Sequence, residues 1–429
     1  MIFNNYPTLP IELTQVTLKG TDMNHKNHRW IVLFAGCLIN LCIGSLYSWS
    51  VFSAPLASQL ALPVSSLAIV FTIATSVGPI TMISGGFVND KLGPKWVLLA
   101  GGLFFGAGMI ATGFISSLNM LIMTYGFVCG LSIGLMYGTT VANSVKYFPD
   151  KKGLAGGITT ASYGGSSVLV SPIAARLIES YGVSQSFMIL GIIMCIIICA
   201  STFCIVIFSK NISLSNDASA TVSSSTQTAK DWKGMLSDTR FYVMFLILLC
   251  GAFCGLMLIS QASNVAQFMF GVSAATASLI VSTVAFMNTS GRIISGYLSD
   301  KLGIITTLRG VFILAAIGTV CVYLSTGIMP LFVIGICCIG FAFGSILAIY
   351  PGFTAAQFGS KNNSVNYGIM FTGFAAAAYF GPTIIASIFT AQGVYAYAFL
   401  VAAGFAATGF LFTFVFKILA DKALRKGEH

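Results

Sequence analysis

Residues 86–95 read Gly-Phe-Val-Asn-Asp-Lys-Leu-Gly-Pro-Lys, and residues 295–303 read Ser-Gly-Tyr-Leu-Ser-Asp-Lys-Leu-Gly. The shared core Asp-Lys-Leu-Gly stands at 90–93 and returns at 300–303, a spacing of 210 residues. At the same spacing Phe148 is matched by Phe358 and Lys151 by Lys361. A charged turn that recurs at one fixed interval, each time between long apolar stretches, marks the same point in two copies of one unit.

The surrounding chain says what that unit is made of. Of 429 residues, 56% are hydrophobic and only 7% are charged, where a soluble domain carries about a quarter charged residues. Such a chain cannot cover itself with a water-facing surface. A transmembrane barrel would show short alternating segments, whereas these apolar runs are long and continuous. A helix needs roughly 20 apolar residues to cross a bilayer. Runs of that length lie near 31–55, 64–88, 96–116, 118–145, 153–175 and 185–208, and again near 241–268, 273–297, 306–325, 330–357, 365–389 and 394–416. Between the two sets lies Asn-Ile-Ser-Leu-Ser-Asn-Asp-Ala-Ser-Ala-Thr-Val-Ser-Ser-Ser-Thr-Gln-Thr-Ala (211–229), a polar linker with little to bury. The expected fold is therefore all-α and integral to the membrane, with twelve transmembrane helices in two pseudo-symmetric six-helix halves. Its parts are an N-terminal segment (1–29), the first half (30–209), a linker (210–240), the second half (241–416) and a tail (417–429). Parallel six-helix repeats place a solute site between the halves near mid-membrane.

The net charge of +10 does not point to nucleic acid, because no basic stripe is interleaved with aromatic residues. If the N-terminus is inside, 19 of the 21 lysines and arginines fall in cytoplasmic segments, leaving Arg176 in an outer loop and Arg292 within a span. The positive-inside rule then puts both termini in the cytoplasm of a multi-pass plasma-membrane protein. The eleven cysteines lie inside apolar runs without metal-type spacing, so they read as small core residues. No cleavable signal precedes the first span, and Met23 is an alternative start. No cofactor or metal is expected, and the three histidines, His25, His28 and His429, are all terminal.

The pattern Gly86-x-x-x-Asp90-Lys91-x-Gly93-x-Lys95 resembles the loop 2–3 signature of the major facilitator superfamily, and Asp300-Lys301-Leu302-Gly303 is its weaker copy. The resemblance implies a cytoplasmic latch of Gly86, Asp90, Lys91, Gly93, Lys95, Asp300, Lys301 and Gly303. In it the aspartate lies near a helix N-terminus and the basic residues make interhelical contacts. Finer blocks are similar to the oxalate/formate antiporter family, which also holds bacterial lactate- and pyruvate-type carriers. They are Asn27-His28-Arg29-Trp30, Gly44 to Phe52, Tyr137-Gly138, Tyr147 to Ala155, Ser162-Tyr163-Gly164, Ser290-Gly291-Arg292, Tyr350-Pro351 and Asn366-Tyr367-Gly368.

Arg292 stands eight residues before Asp300, about 12 Å up its helix from the cytoplasmic loop. A charge at that depth is costly and normally faces a cavity, a partner or a ligand, unless it snorkels to the surface. Ser282, Asn288, Thr289 and Ser295 share much of its helical face, as a cavity lining would. No acidic residue lies inside any span, so an anionic substrate would supply the counter-charge, and a guanidinium grips a carboxylate through two parallel hydrogen bonds. In the family, the arginine at this matching position binds substrate carboxylate. The resemblance adds Tyr47, Tyr137 and Tyr163 as cavity-lining positions, while Asn288 is a candidate for its place one turn before Arg292. It also puts Phe343 and Phe371 where the oxalate carriers have tryptophan. At Phe374 those carriers have a second cation, and its absence argues against a dianion and for a monocarboxylate.

Glycines at 126, 130, 134 and 138, and small residues at 157, 161 and 165, predict close helix packing, and Gly381-Pro382 predicts a kink in the eleventh span. The reading is a monomeric secondary transporter of a small carboxylate, with the lipid bilayer as its other partner. Anion exchange is the mechanism expected; proton symport and oxalate/formate exchange are the alternatives, followed by a facilitator of a neutral solute or a transporter-like sensor. A cationic-drug carrier would want an embedded carboxylate. A transporter-like sensor would want an added cytoplasmic domain, and a membrane enzyme an embedded His/Asp/Glu cluster.

Overall fold

Backbone conformation repeats with the sequence. Gly93 (φ 80°) is matched 210 residues later by Gly303 (φ 85°), and Ala61 (φ 52°) by Gly271 (φ 62°). Ala61 is the one described non-glycine residue with positive φ, and its repeat position carries the residue that adopts that conformation without strain. The structure is a computed structural model describing residues 28–220 and 229–426. The alternative start at Met23, Lys19, Lys26, His25, His429 and linker residues 221–228 lie outside the described residues.

The described chain is almost wholly helical. Eleven helices are long and apolar enough to cross a membrane. One of them, Lys152–Ser209, is broken at Gly182 (φ 79°, ψ 165°) and crosses twice, so there are twelve crossings. In chain order they are α1 (His28–Leu60), α2 (Ala68–Leu92), α3 (Pro94–Thr112), α4 (Leu118–Tyr147), α5 (152–181) and α6 (183–209). The second half holds α7 (Thr239–Ile259, continued by Ala262–Phe270), α8 (Ala274–Leu302), α9 (Ile304–Tyr323), α10 (Met329–Phe358), α11 (Asn363–Gln392) and α12 (Ala396–Ala423). The even apolar content leaves each helix without a single dry face, so packing is decided by where small residues allow approach.

The glycine ladder of α4 faces α2: a Cβ on Gly130 would lie 2.7 Å from the Ala74 Cα, and one on Gly134 would meet the Gly78 carbonyl. The ladder of α5 faces the other half, where a Cβ on Gly157 would meet the Arg292 carbonyl of α8. Between the halves α5 packs on α8 and α10, and α2 packs on α11.

Three local details add to this frame. The first is the linker. Its end forms a short helix, Trp232–Leu236, with Met235 buried, and the Lys230 carbonyl accepts from Asn362 (3.3 Å) and Asn366 (3.1 Å). Lys230 and Arg240 clamp Asp238 at 2.7 Å each. Burial alone would raise the Asp238 pKa, but these charged hydrogen bonds outweigh it and hold the carboxyl at about 2. The second is a local irregularity in α11 at Phe371, between Asn363–Met370 and Thr372–Gln392, with Pro382 inside the second stretch. The third is Arg309, in the second turn of α9. Its guanidinium rests 3.8 Å from the Phe414 ring centroid, and Nε donates to the Thr413 hydroxyl at 3.2 Å.

Candidate functional site

Arg292 is 2% exposed and points between the halves, so it does not snorkel. Its Nε donates to the Asn288 side-chain oxygen one turn earlier (3.0 Å), and its Nη1 to the Thr160 backbone carbonyl of α5 (2.6 Å). Nη2 makes no hydrogen bond, and no carboxylate pairs with the guanidinium among the described residues. The charge is thus eased by two carbonyl dipoles. Neither dipole supplies a formal negative charge.

The polar face expected around Arg292 divides. Asn288 serves the guanidinium, while Ser295 is buried against α10, donating to Ser345 at 2.7 Å. Ser282 and Thr289 return their hydroxyls to carbonyls one turn back on their own helix.

The aromatic residues singled out in the sequence form one continuous chain from half to half. Ring centroids run Tyr47–Tyr163 (5.2 Å), Tyr163–Tyr137 (4.8 Å), Tyr137–Phe371 (5.9 Å), Phe371–Phe374 (4.6 Å) and Phe374–Phe343 (6.3 Å). Tyr47 is 41% exposed, whereas Tyr137, Phe343 and Phe371 are buried. The hydroxyls of Tyr137 and Tyr163 lie within electrostatic reach of Arg292. Phe374 sits among rings, with no second cation beside it among the described residues.

Sequence reasoning left out Tyr367. It is fully buried against Phe371 (5.6 Å), within reach of the Arg292 charge, and its hydroxyl lies beside that of Tyr137 without a hydrogen bond of ordinary geometry. Only its place in the Asn-Tyr-Gly block could have drawn notice.

The latch residues assemble at one end of the molecule. The Asp90 carboxylate, at the end of α2, accepts the backbone N–H groups of Ser364 (3.3 Å) and Val365 (3.0 Å) at the start of α11. Asp300, at the end of α8, accepts those of Gly153 and Leu154 at the start of α5, both at 2.8 Å. Each carboxylate therefore caps a helix N-terminus of the opposite half, where free N–H groups and the helix dipole favour an anion. Gly86 permits this approach, since a Cβ there would lie 2.8 Å from the Ser364 carbonyl carbon and the Val365 nitrogen. Gly93 and Gly303 turn the chain directly after each cap. The lysines behave differently from expectation. Lys95 lies over its neighbour Trp96 (4.8 Å) and Lys301 near Tyr297 (5.9 Å), and Lys91, Lys95 and Lys301 form no ion pair among the described residues. Two further blocks meet nearby: Arg29 binds Asp150 through both Nη atoms (2.6 and 3.1 Å), and Trp30 packs edge-on to Phe148.

Two six-helix halves, capped onto one another at one end and enclosing a guanidinium and an aromatic chain at mid-depth, define a polytopic membrane transporter. The sequence profile of the Major Facilitator Superfamily matches residues 32–382, and the chain belongs to that superfamily. It is a transporter rather than an enzyme. It is 28% identical to the oxalate:formate antiporter of Oxalobacter formigenes over 382 residues, covering 87% of this chain and 88% of that one. To monocarboxylate transporter 12 of Rattus norvegicus it is 25% identical, covering 92% and 86%. Its fold matches the proton:xylose symporter XylE with a TM-score of 0.69 at 14% identity, over 91% of this chain and 96% of that one.

Proposed function

We propose that the chain is a secondary active transporter of a small organic monocarboxylate, of the formate, acetate, lactate or pyruvate type, working by alternating access and anion exchange. The observation that carries the reading is Arg292, a buried guanidinium between the halves whose Nη2 makes no hydrogen bond and which has no carboxylate beside it among the described residues. A buried charge is costly until paired, and a carboxylate matches the guanidinium fork. The relatives named for monocarboxylate transport and for oxalate:formate antiport support an anion of this class.

Phe374 favours a monoanion, because a second carboxylate placed among Phe343, Phe371 and Phe374 would meet rings instead of a cation. If the Asp90 and Asp300 end is cytoplasmic, as the lysine and arginine distribution implies, the described state is closed to the cytoplasm. The Arg292–Thr160 bond, which joins the two halves, supports exchange, since an anion that takes over the guanidinium would loosen it. Proton symport lacks an embedded Asp, Glu or His to carry the proton.

The test is exchange of radiolabelled acetate and pyruvate in proteoliposomes. Arg292→Ala should abolish it, and Arg292→Lys, which keeps the charge without the fork, should lower it at least about tenfold. Near-normal exchange by folded Arg292→Ala protein would overturn the reading. External monocarboxylate should strongly accelerate efflux of preloaded substrate. Accumulation driven by a pH gradient alone would replace exchange with symport.

A further inference from the structure

Gly164 lies one turn after Thr160 on α5, and its missing side chain is where the Arg292 guanidinium rests. An ideal Cβ on Gly164 would stand 3.0 Å from Cζ and 3.2 Å from both Nη1 and Nη2 of Arg292. Three nearly equal distances put that point over the flat face of the guanidinium, not at its edge. Hydrogen bonds to an anion leave the guanidinium in its plane, so a group stacked on the face leaves the edge free. Glycine at 164 thus lets the α5 backbone serve as a platform for the plane. Thr160 and Asn288 then fix the rotation of the guanidinium within that plane, through Nη1 and Nε.

We propose that Gly164 is a positioning residue for anion binding: it seats the Arg292 guanidinium against the first half, with its Nη2 edge presented to the substrate. The proposal rests on the monocarboxylate reading above. A methyl group at 164 would push the guanidinium off α5 by a few tenths of an ångström and strain the 2.6 Å bond to Thr160. A larger group would push it further into the space an anion occupies. The neighbouring Gly165 provides the control, because its Cβ would stand 3.2 Å from the Ala161 carbonyl oxygen one turn back and 3.5 Å from Thr289, with the guanidinium not among its nearest contacts.

The experiment compares wild type, Gly164→Ala, Gly164→Ser and Gly165→Ala in proteoliposomes, reading KM and maximal rate for formate and pyruvate exchange. Anion-induced thermal stabilisation in detergent gives the affinity without transport. Gly164→Ala should raise KM about tenfold, with Gly164→Ser higher still. The increase should be larger for pyruvate than for formate, because the displaced guanidinium narrows the site. The Gly165→Ala kinetics should stay at wild-type values, and cooperative melting of both Gly164 variants without anion should show that they are folded. Unchanged KM in both Gly164 variants, or equal losses for Gly164→Ala and Gly165→Ala, would overturn the proposal while leaving the monocarboxylate reading intact. Wild-type protein that exchanges neither acid would overturn both.

Discussion

The carboxylate of Asp300 in the second half accepts the Gly153 backbone N–H of the first half at 2.8 Å, and does so at the opening turn of α5. Asp90 makes the mirrored contact to Val365 of α11. The repeated Asp-Lys-Leu-Gly turn is therefore a pair of reciprocal helix caps, and its two copies close the same end of the molecule from opposite sides.

Asp300→Asn keeps the shape of the side chain but removes the charge and one acceptor, so it should weaken closure of that end. Loss of a helix cap costs about 0.5–2 kcal/mol, a shift of roughly 2- to 30-fold in a two-state balance. Spin labels at the exposed Lys91 and Lys361 positions would read it as a new, longer distance population. A distribution identical to that of wild type would show that the cap does not hold the halves together. Asp90→Asn should act in the same direction.

Phe374→Lys would place an ammonium between Phe343 and Phe371, whose faces can accommodate it. With a second cation opposite Arg292, oxalate or malonate should compete for the site, and acetate affinity should fall. Competition binding on purified protein measures both. A folded variant that binds no dicarboxylate would remove Phe374 as the reason for monoanion selectivity.

Tyr367→Phe deletes an oxygen that is buried without an ordinary hydrogen bond, while leaving the ring against Phe371. Its removal should be neutral or stabilise the protein by up to about 1 kcal/mol. The melting temperature in detergent should accordingly hold or rise. A fall of several degrees would mean that the Tyr137 and Tyr367 hydroxyls support one another more strongly than their geometry indicates.

Much of the site was legible because buried charge is conspicuous in an apolar chain. Arg292 stood out as a cation without an acid, and the six aromatic residues picked out beside it do form one connected row. Its partners were not legible. The Thr160 carbonyl is a backbone group that every residue possesses, and Gly164 acts through an atom it lacks.

The sequence by itself determined the twelve crossings, the two halves and the repeated turn. Apolar length and a fixed 210-residue interval are properties of the chain read along one dimension. Tertiary structure alone decided which half each group serves. Asp90 caps α11 and Asp300 caps α5, Arg292 of α8 reaches Thr160 of α5, and the end of the linker is held by Asn362 and Asn366. All of these join groups more than a hundred residues apart through helix ends, carbonyls and missing side chains. Such groups carry no pattern until packing brings them within hydrogen-bonding distance.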